Sequence, residues 1–308
     1  MTSTLPHSDL ARAEVSLDIS PLSARIGAEI HGLDLRDLND AEVAAIRAAW
    51  LEYKVVFFPG QHLEPAEHLA FASRLGEPTE GHPVIPGIPE HPEVFEIDYG
   101  KTAELAALYG DVSQRGAGLH WHTDVTFVPR PPAGSILRAV VVPDAGGDTL
   151  FSNQQAAFEG LSPSLQDYLS TLTAVHEGQQ QFGRILEQVG QGTWEGQKFS
   201  SIEPVEHPVV ITHPHTGKRV LFVNPGFTSH IVGLSRAESD ALLGFLYEHA
   251  VRPEYVVRYH WQPGTIGFWD NFATQHSVVG DYGDQARVIQ RVTLRGTAPR
   301  GVSVQASS

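Results

Sequence analysis

A histidine and an aspartate one residue apart, in Trp121-His122-Thr123-Asp124-Val125-Thr126, are the residues of this chain best suited to hold a metal ion. On an extended strand, residues i and i+2 share a face, so both side chains can meet one ion. A second histidine from elsewhere would complete a two-histidine, one-carboxylate set, the facial arrangement of iron(II) sites that leaves positions open for substrate and oxygen. His-x-Asp or His-x-Glu occurs four times, at His7/Asp9, His62/Glu64, His91/Glu93 and His122/Asp124. His7 falls in a polar terminus, and His62 and His91 fall in proline-flanked loops with no strand to hold them. Only His122/Asp124 lies in an aromatic and β-branched run.

The third ligand is expected on another strand. His276 follows a strand-and-turn pattern, T-I-G-F-W-D-N-F-A-T-Q, and precedes a strand bearing arginines. His120 competes, because it would share a face with His122. His213 and His215 flank Pro214 beside a turn and read as solvated. In Arg287-Val288-Ile289-Gln290-Arg291 the two arginines share a face about 13 Å apart, at roughly 3.3 Å per residue. If that face is buried, anions must neutralise it. The guanidinium fork suits bidentate capture of a carboxylate or sulfo group. The same spacing also fits an exposed edge strand with solvated arginines.

The elements that must position these groups are mostly short strands. The chain has 308 residues, 41% of them apolar, enough for one long domain or two short ones. Val15 to Ile30 should open a sheet. Asp40 should cap a helix carrying Val43, Ile46 and Trp50, and Lys54 to Gly60 reads as a buried strand. Pro65 to Gly76 reads as a second helix. Residues 76–92 and 100–120 read as loops, and Ser135 to Val142 as a buried strand. Ser162-Pro163 opens a helix, and Ser235 with Glu238 forms a capping box for another. Residues 178–204 are rich in Gln and Gly with few periodic apolar residues, which marks an active-site lid or a disordered segment. Strands at Val209–Ile211, Val220–Val223, Tyr255–Trp261, Thr265–Trp269 and Arg287–Arg295 close the chain. The sum is a mainly β, α+β fold: one jelly-roll domain over residues 15–300 with peripheral helices, a disordered stretch at 1–14 and a tail at 301–308.

Composition excludes several functions. The net charge of −15 and the lack of a basic run argue against nucleic acid or an anionic membrane as partner. The absence of cysteine removes disulfides, thiolate zinc sites and a cysteine nucleophile. No stretch reads as a signal peptide or a bilayer span, so a cytoplasmic protein is expected. A zinc hydrolase would need a general base beside the metal-bound water, and no H-E-x-x-H motif supplies one. A non-catalytic metal-binding jelly roll would have no use for a buried arginine pair.

W-H-T-D-V-T-F, P-P-A-G-S-I-L, G-G-D-T-L, H-P-V-V-I-T-H-P-H-T-G, L-F-V-N-P-G-F, W-D-N-F-A-T-Q-H and the Arg287/Arg291 strand occur in an order that resembles the taurine dioxygenase (TauD/TfdA) family. The resemblance covers roughly residues 15 to 298. It implies an Fe(II)- and 2-oxoglutarate-dependent dioxygenase on a double-stranded β-helix, a cupin-like jelly roll, with O2 as co-substrate. It places the iron ligands at His122, Asp124 and His276, and the co-substrate carboxylate at Thr149 and Arg287. The substrate would meet His82, Val125, Phe182, Phe227 and Arg291. By the same resemblance, the substrate is a small organic anion: first a taurine-like sulfonate hydroxylated to release sulfite and an aldehyde, then an alkyl sulfate, then an aryloxy acid. An iron halogenase is disfavoured because Asp124 occupies the position that halide needs. A homo-oligomer, dimer or tetramer, is expected by analogy. Three residues depart from the family pattern. Ile85 stands where the taurine enzyme has tyrosine, Gly118 stands near its asparagine, and Phe272 replaces the arginine of W-D-N-R. The first two remove polar contacts to an amino-sulfonate and favour a more apolar substrate.

Overall fold

The computed structural model describes residues 15–98 and 121–302. In chain order its strands begin with β1 (Asp18–Pro21), β2 (Ala28–His31), β3 (Val55–Phe58), β4 (Gly87–Ile88), β5 (His91–Asp98) and β6 (Gly134–Val141). They continue with β7 (Thr149–Asn153), β8 (Thr173–His176), β9 (Gly192–Trp194), β10 (Gln197–Phe199), β11 (Val205–Pro208) and β12 (Val210–Thr212). The last six are β13 (Arg219–Leu221), β14 (Thr228–Ile231), β15 (Val256–Tyr259), β16 (Ile266–Asp270), β17 (Thr274–Val278) and β18 (Val288–Leu294). An eight-stranded sheet runs β1-β2-β3-β16-β6-β18-β5-β4, so β18 sits in its interior between β6 and β5. Facing it is the three-stranded sheet β15-β7-β17, with β11-β8-β14 and β12-β13 as further small sheets.

The interior strands of the large sheet, β3, β16, β6 and β18, are buried on both faces, which explains their continuous apolar runs. Val55 and Phe57 of β3 point inward with Leu137, Ile289, Trp269 and, from the facing sheet, Phe151. Val56 and Phe58 point outward onto helices α1 (Asp40–Tyr53) and α2 (Pro65–Leu75), where Ile46, Trp50 and Phe71 cover them. Helix α1 is capped by Asn39 rather than Asp40: its side chain accepts from the backbone of Ala41 and Glu42, and Glu42 closes the capping box. Four helices serve the other side of the molecule: α3 (Gln154–Glu159), α4 (Pro163–Leu169), α5 (Gln179–Val189) and α6 (Arg236–Ala250). The capping box of Ser235 and Glu238 opens α6 as expected. No helix among the described residues is long and apolar enough to cross a membrane.

Several local expectations are corrected. Residues 91–98 form strand β5, which pairs with β18, so His91 and Glu93 are not in a loop. Residues 178–204 hold helix α5 and the hairpin β9-β10. Phe182, Ile185 and Leu186 lie on one buried stripe of α5, at i, i+3 and i+4, a signal that the flanking glutamines obscure. The start of the expected tail is tied down, with Thr212 N donating to Arg300 O at 2.8 Å and Gly301 bridging Ile211. The expectations for residues 1–14, for His7, for the loop at 100–120 with Gly118 and for His120 fall outside the described residues.

Candidate metal centre and its surroundings

The inward face of the barrel places the chemistry. On β7, Thr149 and Phe151 alternate into the space between the sheets. Phe151 stands opposite His276 of β17 in the ladder, so the two rings share that face, with centroids 5.9 Å apart. Trp269 of β16 also packs against the imidazole, at 4.9 Å. On β18, Ile289 lies in the same core and Arg291, two residues on, follows it inward.

His122 reaches this interior by a single bridge. Its N–H donates to His276 O at 3.0 Å, and His276 N–H donates back to His122 O at 2.8 Å. The expected strand through His122 and Asp124 is not formed. The chain turns directly after the bridge, and Val125 takes φ +56°. That conformation is costly for a β-branched residue, so the turn is held from outside. Asn271 holds it: its Oδ1 accepts from Asp124 N at 2.8 Å, and its Nδ2 donates to Asp124 O at 2.9 Å and Pro132 O at 3.0 Å. The turn does what the strand was expected to do. His122, Asp124 and His276 each offer a ligand atom, and these atoms lie within 4.8 Å of one another. Asp124 Oδ1 is 3.5 Å from His122 Nε2 and 3.7 Å from His276 Nε2.

The protonation states suit metal binding. Burial favours the neutral form of Asp124, but Arg291 and then His276 and His122 hold its carboxyl well below the usual carboxylate range. Burial, reinforced by His122, pushes His276 well below the usual histidine value, so the imidazole is neutral. His276 is 1% exposed, and its Nε2 makes no hydrogen bond among the described residues. A buried nitrogen of that kind is costly unless it serves as a ligand. Two imidazoles and one carboxylate are the donor set that iron(II) takes. Ser135 Oγ donates to Asp124 Oδ2 at 2.7 Å, which orients the carboxylate and leaves Oδ1 toward the histidines.

Arg291 and Arg287 are both buried, at 8% and 1% exposure, which removes the edge-strand alternative. Arg291 Nη1 donates to Asp124 Oδ1 at 2.7 Å, and its guanidinium lies 4.8 Å from the Trp269 ring and 5.6 Å from that of Phe95. Arg287 sits at the other end of the pair, where its Nε donates to Gly147 O at 3.3 Å. Thr149, two residues beyond Gly147, accepts from Trp261 Nε1 at 2.8 Å, which leaves its own hydroxyl proton free to donate.

The wall beside Arg291 is aromatic and apolar. His82 lies 5.5 Å from Phe95 and 4.8 Å from Phe182. Phe127 is 5.0 Å from Phe227 and 5.2 Å from Phe182. Val125 and Val84 belong to the same cluster, with Ile85 packed against it. His82 Nδ1 accepts from the backbone of Val84 and Ile85, so the neutral ring carries its proton on Nε2. Burial pushes its pKa down to about 3, so it acts as a donor without a charge. Phe227 also stands 6.1 Å from His122 at the edge of a cleft of about 450 Å³ that Gln180, Gln181 and Arg236 help to line.

The sequence reading missed Ser135, Asn271 and the pair His213/Asp270. His213 was expected to be solvated, but it is 2% exposed, and its Nε2 lies 2.9 Å from Asp270 Oδ2. Phe272 fills an apolar cluster with Ile211, Val220 and Phe222 on the side away from the ligands, so no polar role replaces the missing arginine.

Comparison with known proteins agrees with this geometry. The family model described as "Taurine catabolism dioxygenase TauD, TfdA family" matches residues 18–293. An alpha-ketoglutarate-dependent sulfate ester dioxygenase of Pseudomonas putida is 40% identical over 99% of this chain and 96% of its own. An alkylsulfatase of Acinetobacter baylyi is 40% identical over 92% of this chain and 87% of its own. The crystal structure of a taurine dioxygenase from Burkholderia xenovorans superposes with a TM-score of 0.77 and 41% identity, covering 94% of this chain and 95% of that one.

Proposed function

We propose, from the premise that the chain belongs to the TauD/TfdA family of Fe(II)- and 2-oxoglutarate-dependent dioxygenases, that it oxidises small organosulfur anions bearing an apolar chain, alkyl sulfate esters foremost. The convergence of His122, Asp124 and His276 on one point carries the reading of the metal centre. Iron(II) held there with 2-oxoglutarate supplies the oxygen-activating chemistry that releases succinate and CO2 and oxidises a substrate C–H bond. Arg287 and Thr149 hold the far carboxylate of 2-oxoglutarate, one by charge and one by its hydroxyl proton. Arg291 and the Nε2–H of His82 grip the sulfo group of the substrate and set which carbon faces the metal. The aromatic wall of Phe127, Phe182 and Phe227 excludes water and takes the chain of the substrate. Helix α5, which carries Phe182, is the lid of this site.

The choice of substrate rests on that wall. Among the described residues, Val84, Ile85, Val125, Phe127, Phe182 and Phe227 offer no polar group for the amine of an amino-sulfonate. Hydroxylation of the carbon bearing the sulfate oxygen gives a product that collapses to an aldehyde and sulfate; with a sulfonate the product is an aldehyde and sulfite. A sulfonate is the second reading, favoured by the likeness to a taurine dioxygenase structure. The test is succinate formation with iron(II) and oxygen over a panel of alkyl sulfates, alkanesulfonates, taurine and aryloxy acids, with sulfate and sulfite measured separately. Sulfate release coupled one-to-one to succinate is expected for a medium-chain alkyl sulfate. Coupled sulfite release from taurine in preference to alkyl sulfates would overturn the choice of substrate. If Arg291→Ala abolishes 2-oxoglutarate binding rather than substrate binding, the two arginine roles are reversed.

A further inference from the structure

The turn between β16 and β17 has a buried brace behind it. His213 Nδ1 accepts from the backbone N–H of His215 at 3.3 Å and of Thr216 at 3.2 Å. Its proton is therefore on Nε2, which lies 2.9 Å from Asp270 Oδ2 in a close polar contact. The other oxygen, Asp270 Oδ1, accepts from Phe272 N at 3.0 Å and Ala273 N at 3.1 Å, and so winds the turn. Inside the turn sits Asn271, whose amide makes both hydrogen bonds to the Asp124 backbone. Where the turn ends, Thr274 Oγ1 donates back to Asp270 O at 2.7 Å, and Thr274 O accepts from Thr123 Oγ1 at 2.9 Å. His276 follows two residues later. His213, Asp270 and Asn271 are all at or below 2% exposure.

We infer that His213 and Asp270 are positioning residues for the metal centre: they wind the turn that holds Asn271, and through Asn271 they fix the Asp124 backbone. This rests on the reading of His122, Asp124 and His276 as ligands. Neither residue touches the ligand atoms. Their effect passes through a turn whose geometry they impose from the far side. The hydrogen bonds of Asp270 Oδ1 and of the Asn271 amide hold only in this winding of the turn, and the His213 Nε2–H sets a buried donor against the Asp270 carboxylate behind it. Loss of groups that orient metal ligands typically costs 10- to 100-fold in metal affinity.

Asp270→Asn isolates the link. Its Oδ1 keeps accepting from Phe272 N and Ala273 N, but its amide then faces the Nε2–H of His213, donor against donor. His213 cannot change tautomer, since Nδ1 is occupied by two backbone donors. The measurement is Co(II) binding to the full chain by calorimetry, with the visible absorption of the bound ion as a report on its coordination. Wild type, D270N, N271A, the double variant and H276A are compared. The expected result is roughly tenfold weaker Co(II) binding and an altered spectrum in D270N, with no further loss in the double variant beyond N271A alone, because the effect travels through Asn271. Binding by D270N within twofold of wild type, with a lowered melting temperature, would show that the pair supports only the fold and overturn the proposal. Independent, multiplying effects of D270N and N271A would overturn the route through Asn271. Wild-type affinity in H276A would instead overturn the metal reading on which the proposal rests. Should D270N fail to fold, His213→Phe removes the same donor while keeping a ring against Phe272, and the same tenfold loss is expected of it.

Discussion

Removing the Arg291 side chain should lower the stability of the metal-free protein far more than that of the metal-loaded one. In Arg291→Ala the carboxylate of Asp124 loses its 2.7 Å partner and keeps Ser135 Oγ, while the faces of Trp269 and Phe95 lose the guanidinium that lies near them. Deleting one member of a buried ion pair costs about 3–5 kcal/mol, because the other charge is left without compensation in a poorly solvated place. For a chain of this size that is a drop of roughly 5–15 °C in melting temperature. A divalent cation bound at His122, Asp124 and His276 supplies positive charge to the same carboxylate. The stabilisation on adding Mn(II) with 2-oxoglutarate should therefore be larger in the variant than in the wild type. Scanning fluorimetry in EDTA and in Mn(II) reads both quantities. A variant that melts within about 2 °C of wild type in EDTA, or that gains no more from Mn(II), would refute the argument that Asp124 depends on this pair.

Three further outcomes are expected. His276→Ala should lose both divalent-metal binding and coupled succinate formation; unchanged turnover would mean the third ligand lies elsewhere. Gly226→Ala would set a Cβ 2.7 Å from His122 Cβ, too close for any real contact; the imidazole must move, and metal affinity should fall at least severalfold while far-UV circular dichroism stays unchanged. His68, fully buried on α2 beside Ile136 O at 3.1 Å, has its pKa pushed down to about 3 by burial. The unfolded chain takes that proton near pH 6.5, so this residue costs nothing above that pH and about 1.4 kcal/mol per pH unit below it, down to about pH 3. Urea midpoints of wild type and His68→Gln between pH 7 and 4 should diverge with that slope, and parallel curves would count against a neutral buried His68.

The parts of the fold that were legible are those where one face or both are apolar by necessity. Val55 to Phe58 reads as a buried strand because each face of the sheet has its own core. The period of two places Arg287 and Arg291 on one face, but their burial depends on β18 lying inside the sheet beside β5, and β5 carries no strand signal in the sequence because Pro92 and the acidic residues hide its pattern: its first two residues fall in the loop read over 76–92 and the rest stay unassigned. His122 and Asp124 were rightly paired for a wrong local reason. Their convergence comes from a turn, held by Asn271 some 147 positions away, and no local pattern reports such a bond. His213 was misjudged because a His-Pro-His-Thr-Gly turn looks solvated, whereas one ring of it caps its own turn and faces inward. Helix α5 was obscured by glutamines on its exposed side, although Phe182, Ile185 and Leu186 carry its period.

The position of β18 has a consequence for how the molecule is made. The strand that carries Arg291 lies in the interior of the large sheet, yet it follows in sequence both of its neighbours, β5 and β6, by well over a hundred residues. A growing chain that has emerged from the ribosome as far as β17 therefore has a sheet with an open slot and the β5 and β6 edges unpaired. It can present His122, Asp124 and His276 but not the countercharge of Asp124. Pairing over such distances is slow. Closure of the barrel thus waits for β18, and any chain truncated before Val288 would be prone to aggregate rather than fold into a smaller working enzyme.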